Sequence, residues 1–156
     1  MTPGRTLIRW VAAVLLVLYS LVIARLTLMP ARAEHGVLAI LDKVTRLSNG
    51  RLTWDQTEQL ANIALFVPAG LLAAVVLGRT WAAIVLCVLA SIGIELAQQH
   101  FLSSRVPTAV DVRNNGLGGV IGAVVAWPLA HYVRRPRRPP TYSNSRDEAT
   151  RVLERR

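Results

Sequence analysis

Four long apolar runs constrain this chain more than any other feature: Trp10–Met29, Leu60–Leu77, Trp81–Phe101 and Asp111–Val133. About twenty residues rising 1.5 Å each make about 30 Å of helix, the thickness of a bilayer's hydrocarbon core. A soluble domain that was 53% hydrophobic would break such runs into short amphipathic periods, whereas charges are sparse within these. In lipid the backbone must satisfy its own polar groups, which selects helix for each run. The expected fold is therefore an all-α polytopic membrane protein, a bundle of four transmembrane helices.

Charge orients the bundle. The chain carries 18 basic and 9 acidic side chains, but eight of its arginines fall within residues 134–156. The excess belongs to the tail, so a nucleic-acid partner is a poor reading. Arg5, Arg9, Arg79 and the tail lie on one side of four spans, which puts both termini in the cytoplasm by the positive-inside rule. Trp10, Trp81, Trp127 and Tyr132 then sit near the inner interface, where amphipathic rings concentrate. Residues 1–133 read as the transmembrane domain. Residues 134–156 read as a disordered basic cytoplasmic tail, too poor in apolar residues to fold alone. It could orient the protein or bind anionic lipid. Cys87 stands alone in an apolar run, which excludes an intrachain disulfide.

A cleaved signal peptide is the rival reading of the first run, because Ala31-Arg32-Ala33 fits a small-x-small cleavage site. The length of the apolar segment and the interposed Arg25, Met29 and Pro30 argue against it. In the loop that follows, Val37, Ile40, Leu41, Val44 and Leu47 share one helical face, with Asp42, Lys43 and Arg46 elsewhere. A short interfacial helix in the first external loop accounts for both faces. Asn49-Gly50 reads as a turn, and Thr53 with Gln56 as a capping box opening the next helix.

The polar residues inside the runs carry the functional reading. Asn62 lies about one turn into the second span, ahead of Pro68 and Gly70. Pro68 is expected to open the helix and expose a carbonyl. Ser91, Glu95 and Gln98 form one stripe of the third span. The loop Leu102–Val110 contains Arg105 and Pro107, and Asp111, Asn115, Gly118 and Gly122 then share one face of the fourth span. In this topology Asn62, Glu95, Asp111 and Asn115 reach similar depth, with Arg105 above them. The expected geometry is a polar pocket opening outward among three helices. Glu95 in that setting must be protonated, paired with Arg105, or hydrogen-bonded to Gln98 and Asn62. Simple stitching of helices accounts for Asn62 or Gln98 alone, at about 0.6 kcal/mol per bond. Burying several ionisable groups costs more and points to a purpose.

The series Asn62-x-x-x-Phe66-x-Pro68-x-Gly70, Glu95-x-x-Gln98, Arg105 and Asp111-x-x-x-Asn115-x-x-Gly118-x-x-x-Gly122 closely resembles the VanZ-like membrane protein family. The match covers roughly residues 60–125 in order and spacing. Many members carry a further acid where this chain has Thr108. The resemblance implies a small multi-pass protein of the bacterial cytoplasmic (inner) membrane, whose founding members are linked to low-level resistance to teicoplanin, an antibiotic acting on cell-wall precursors. Arginine outnumbers lysine 17 to 1, in keeping with a GC-rich bacterial genome.

Three functions compete. In the first, a non-enzymatic envelope protein binds a lipid or cell-wall precursor, with Arg105 meeting an anionic head and Asn62, Glu95, Gln98, Asp111 and Asn115 fixing its orientation. In the second, an intramembrane hydrolase or transferase uses Glu95 and Asp111 as acid and base. In the third, the Gly118 and Gly122 face recruits a membrane partner or a second copy, although packing within the chain explains the same motif. The sequence points to no cofactor. It also lacks a metal-binding pattern: there is no His-Glu-x-x-His, and His100 lies off the Glu95 face.

Overall fold

Chain reversals fall where residues able to adopt left-handed backbone stand. Asn49 and Gly50 have φ of 52° and 78°, and Gly78 has φ of 62°, a region glycine enters without steric cost. The computed structural model describes residues 3–28, 35–101 and 108–135. Ala31-Arg32-Ala33, Arg105, Pro107 and the tail beyond Arg135 lie outside the described residues.

Six helices follow in order: α1 (Pro3–Thr27), α2 (His35–Leu47), α3 (Trp54–Leu77), α4 (Thr80–Phe101), α5 (Ala109–Val125) and α6 (Trp127–Arg134). The capping box forms at the start of α3. The Thr53 N–H donates to Gln56 Oε1 at 3.0 Å, and the Gln56 N–H to Thr53 Oγ1 at 3.3 Å. Helices α1, α3 and α4 are each long and apolar enough to cross a membrane, and α5 with α6 form a bent pair that passes the same test together. The result is an all-α bundle with three or four spanning segments. Trp10, Leu21, Trp81, Leu89 and Val125 lie on its outside, each at least 60% exposed. Contiguous exposure of large apolar side chains on this scale suits lipid and not water.

The fourth run differs from the single span expected for Asp111–Val133. The helix breaks at Ala126, and the two parts meet at 59°. Pro128, in the first turn of α6, has no N–H to donate and its ring crowds the carbonyl four residues back. The helix breaks here, whereas α3 runs on through Pro68 as one helix.

At the core, α5 presses directly on α3. A Cβ added at Gly118 would overlap the Ile63 carbonyl and lie 2.9 Å from Phe66 Cβ, and one at Gly122 would overlap the Val67 carbonyl. One at Gly70 would collide with the backbone of Gly119. In lipid, packing of this kind replaces the absent hydrophobic drive between helices. The glycine face is thus taken up by α3 of the same chain, and a partner docking there would have to displace that helix.

Helix α1 lies at the edge: 11% of its most apolar stretch is buried, against 33% for α3. Polar side chains tether it. The Tyr19 hydroxyl donates to the Leu65 carbonyl at 2.8 Å, just before Pro68. The Arg9 guanidinium donates twice to the Val76 carbonyl, at 2.7 and 3.0 Å. A cation there meets the negative, C-terminal end of α3. Arg5 lies over the Tyr132 ring, 4.7 Å from its centroid, and donates to the Arg135 carbonyl at 2.6 Å. One end of the bundle therefore gathers Arg5, Arg9, Arg134 and Arg135, and the polar residues of the spans collect at the other.

Candidate functional site

Thr108 organises the polar end. It is the N-cap of α5, where an exposed N–H needs an oxygen partner. Its hydroxyl accepts from the Asp111 N–H at 3.1 Å and donates to Asp111 Oδ2 at 2.8 Å. Its own N–H donates to Glu95 Oε2 at 3.2 Å. One residue thus links the acid of α4 to the acid of α5. Asp111 also accepts from Asn62 Nδ2, at 2.7 Å through Oδ1. A connected hydrogen-bond network runs from α3 through α5 to α4, in which each bond orients the next.

A second pair lies deeper. Asn115 Nδ2 donates to Ser91 Oγ at 2.9 Å, joining α5 to α4. Both residues are buried, and Asn115 Oδ1 has no hydrogen-bond partner among the described residues. Reversing the amide exchanges its ends but still leaves one of them without a partner. Gln98 Nε2 donates to the Thr27 carbonyl at 2.8 Å, tying α4 to the last turn of α1.

These groups line a cavity of about 190 Å³ into which five helices contribute, α1 through Thr27, α2 through Leu41, α3 through Glu58 and Asn62, α4 through Glu95 and Gln98, and α5 through Asp111 and Asn115. The three-helix pocket expected from sequence thus has two further walls. Helix α2 supplies one: Leu38 and Leu41 turn toward the cavity, and Thr45 Oγ1 donates to Thr57 Oγ1 of α3 at 2.8 Å. Leu41 therefore leaves the outward apolar face, where Ile40, Val44 and Leu47 remain exposed. A more open hollow of about 360 Å³ adjoins at Glu58, Gln98 and Asp111 and extends to Asp55. Below lies an apolar groove of about 240 Å³ between α1, α3 and α4, walled by Ile23, Ala24, Phe66, Cys87 and Ala90. Ile94 belongs to both the polar cavity and the groove.

Asn62, Glu95, Gln98, Asp111 and Asn115 thus converge on one cavity. Arg105 lies outside the described residues. Gly70, Gly118 and Gly122 stand along the α3–α5 contact, and neither they nor Pro68 line the cavity. Sequence reasoning missed Thr108, although Thr-x-x-Asp ahead of an apolar run is a capping signature. Ser91, placed from sequence only on the Glu95 stripe, is the partner of Asn115. Glu58 and Thr27 carried no signal, since their role depends on which helices meet. Among the described residues no three His, Cys, Asp or Glu side chains come together to hold a metal ion.

Fold and site define a class: a multi-pass α-helical membrane protein with a polar cavity at one end of its bundle. The chain belongs to the VanZ/LLP1 family, whose sequence profile matches residues 12–131. That span takes in α2 to α5 whole and most of α1 and α6. No curated protein and no solved structure matches it significantly.

Proposed function

We propose that this protein holds an amphipathic envelope molecule, a lipid or lipid-linked cell-wall precursor, with its head in the polar cavity and its chain in the apolar groove. The observation that supports this reading is adjacency: Ile94 lines both spaces, which sets a head-sized polar cavity beside a groove suited to an apolar chain. At about 190 Å³ the polar cavity suits a head group and not a whole ligand, for which several hundred cubic ångströms are usual. The Arg-rich end faces the cytoplasm in this reading, as the positive-inside rule requires. The cavity then opens at the outer leaflet of a bacterial inner membrane, and α2 rests on the membrane surface.

Native mass spectrometry tests the proposal on wild type, Glu95→Gln and Ala90→Phe, the last filling the groove at an exposed position. Wild type should retain a discrete lipid that both variants lose. Identical, unselective lipids on all three would refute it. The link to teicoplanin belongs to the same reading, and a strain lacking this protein is expected to be more sensitive to that antibiotic.

A second reading, an intramembrane hydrolase or transferase, draws on the way Thr108 holds Glu95 and Asp111 together. Turnover of a lipid substrate that disappears in Glu95→Gln, with folding intact, would place it first.

A further inference from the structure

The end of the bundle opposite the polar cavity is positive throughout. Among the described residues it holds Arg5, Arg9, Arg79, Arg134 and Arg135, whereas the acids Asp42, Asp55, Glu58, Glu95 and Asp111 all belong to the other end. The positive-inside rule and the dipole of α6 account for basic residues there, so charge alone identifies no site. Shape supplies what charge does not. Gly78, at φ of 62°, turns the chain tightly between α3 and α4, and a Cβ built on it would stand 3.2 Å from Arg134 Cβ. Between the start of α4 and α6 lies a hollow of about 390 Å³, lined by Thr80, Trp81, Ile84, Trp127, His131 and Arg134.

The wall of this hollow is graded. Arg134 stands at the end of the bundle, and its guanidinium has no hydrogen-bond or ion-pair partner among the described residues. Trp81 and Trp127 are 64% and 59% exposed, and the Trp127 ring stacks on His131 with centroids 6.0 Å apart. Indoles suit a boundary that is wet on one side and apolar on the other. Ile84 carries the wall one turn further into α4.

We infer that this hollow seats the head of an anionic phospholipid from the leaflet at the Arg-rich end, with its phosphate on Arg134 and the start of its acyl chains against Trp127 and Ile84. Guanidinium and phosphate form charge-assisted hydrogen bonds. A zwitterionic head would bring an ammonium to an end that offers it no carboxylate among the described residues. The site is separate from the polar cavity, and the inference stands whatever that cavity holds.

The full chain is exchanged into phosphatidylcholine vesicles holding graded fractions of phosphatidylglycerol or phosphatidylethanolamine, and the retained lipid is counted by native mass spectrometry. Wild type should keep phosphatidylglycerol in preference to both other lipids. Any cation near the surface adds unspecific attraction, about fivefold per charge, so the decisive comparison holds charge constant. Arg134→Gln and Arg135→Gln remove the same charge one residue apart, and of the two only Arg134 lines the hollow. Arg134→Gln should lose at least about tenfold more affinity than Arg135→Gln, the scale of one hydrogen bond to a charged group. Trp127→Leu, at an exposed position and with no change of charge, should weaken retention several-fold.

Similar losses in the two arginine variants would reduce the site to diffuse surface charge and overturn the assignment. Unchanged retention in Trp127→Leu would overturn it too, as would preference for phosphatidylcholine, in which case the indoles hold a quaternary ammonium. Displacement of bound phosphatidylglycerol by glycerol 3-phosphate at equal concentration would refute the lipid source. Phosphatidylglycerol lost in Glu95→Gln and kept in Arg134→Gln would place the lipid in the polar cavity and refute this site alone.

Discussion

Gly122→Ala adds one methyl group at the closest approach of α5 to α3, and the structure sets its cost. The new Cβ would overlap the Val67 carbonyl oxygen and stand 2.8 Å from the Leu71 nitrogen and 2.9 Å from the Val67 carbonyl carbon. Every one of these atoms is backbone, so no side-chain rotation relieves the clash. Helix α5 must retreat by at least about half an ångström, and a gap of that size forfeits a quarter or more of the dispersion energy along the seam. Overpacking of this kind costs about 1–3 kcal/mol, and a rigid backbone neighbour favours the upper part of that range. Gly93→Ala is the internal control, because nothing lies within 4 Å of its added Cβ. There the same substitution should stabilise by roughly 0.5–1 kcal/mol through helix propensity alone. Reversible unfolding by steric trapping in bicelles should therefore separate the two variants by about 2 kcal/mol or more. A separation below about 0.5 kcal/mol would mean that α5 and α3 are not in backbone contact, and the packing argument would fail.

A double-mutant cycle on Asn62→Ala and Asp111→Ala should give a coupling of about 0.6–1.7 kcal/mol, the range measured for polar pairs between membrane helices; strict additivity would contradict the 2.7 Å bond. Thr108→Ala should destabilise by about 1 kcal/mol through loss of the α5 cap, and Thr108→Ser should restore most of it. If Ser and Ala behave alike in thermal unfolding, the hydroxyl contributes nothing. Tyr19→Phe should loosen α1 by about 0.6 kcal/mol, visible as faster backbone hydrogen exchange near Leu65; unchanged exchange would remove the hydroxyl from the account of how α1 is held.

Much of the site was legible because membrane spans are a strong constraint. Once helices replace lines of sequence, Asn62, Glu95, Asp111 and Asn115 reach one depth by counting turns. What counting turns cannot show is the direction of each side chain. Gln98 and Asn62 illustrate this: of the three states open to Glu95 one drew on both amides, and in the structure Gln98 donates to the Thr27 carbonyl and Asn62 to Asp111. Both choices depend on the rotation of α1 and α5 about their axes. The break at Ala126 is a different case, since Pro128 was visible and its effect on the fourth run was not drawn. Thr108 is similar, a capping residue noted only as the place of a missing acid.

The amino-acid sequence by itself determined that this chain is a helical membrane protein of the VanZ/LLP1 family. It did so because apolar length, charge-poor runs and motif spacing are properties of the chain read in one dimension. Only the tertiary structure decided that Gly118 and Gly122 of α5 face α3, that α1 and α2 complete the walls of the polar cavity, and that Ile94 lines both that cavity and an apolar groove. Those outcomes depend on how helices rotate and approach one another in lipid, where close packing and a few polar bonds, and not burial from water, select the arrangement.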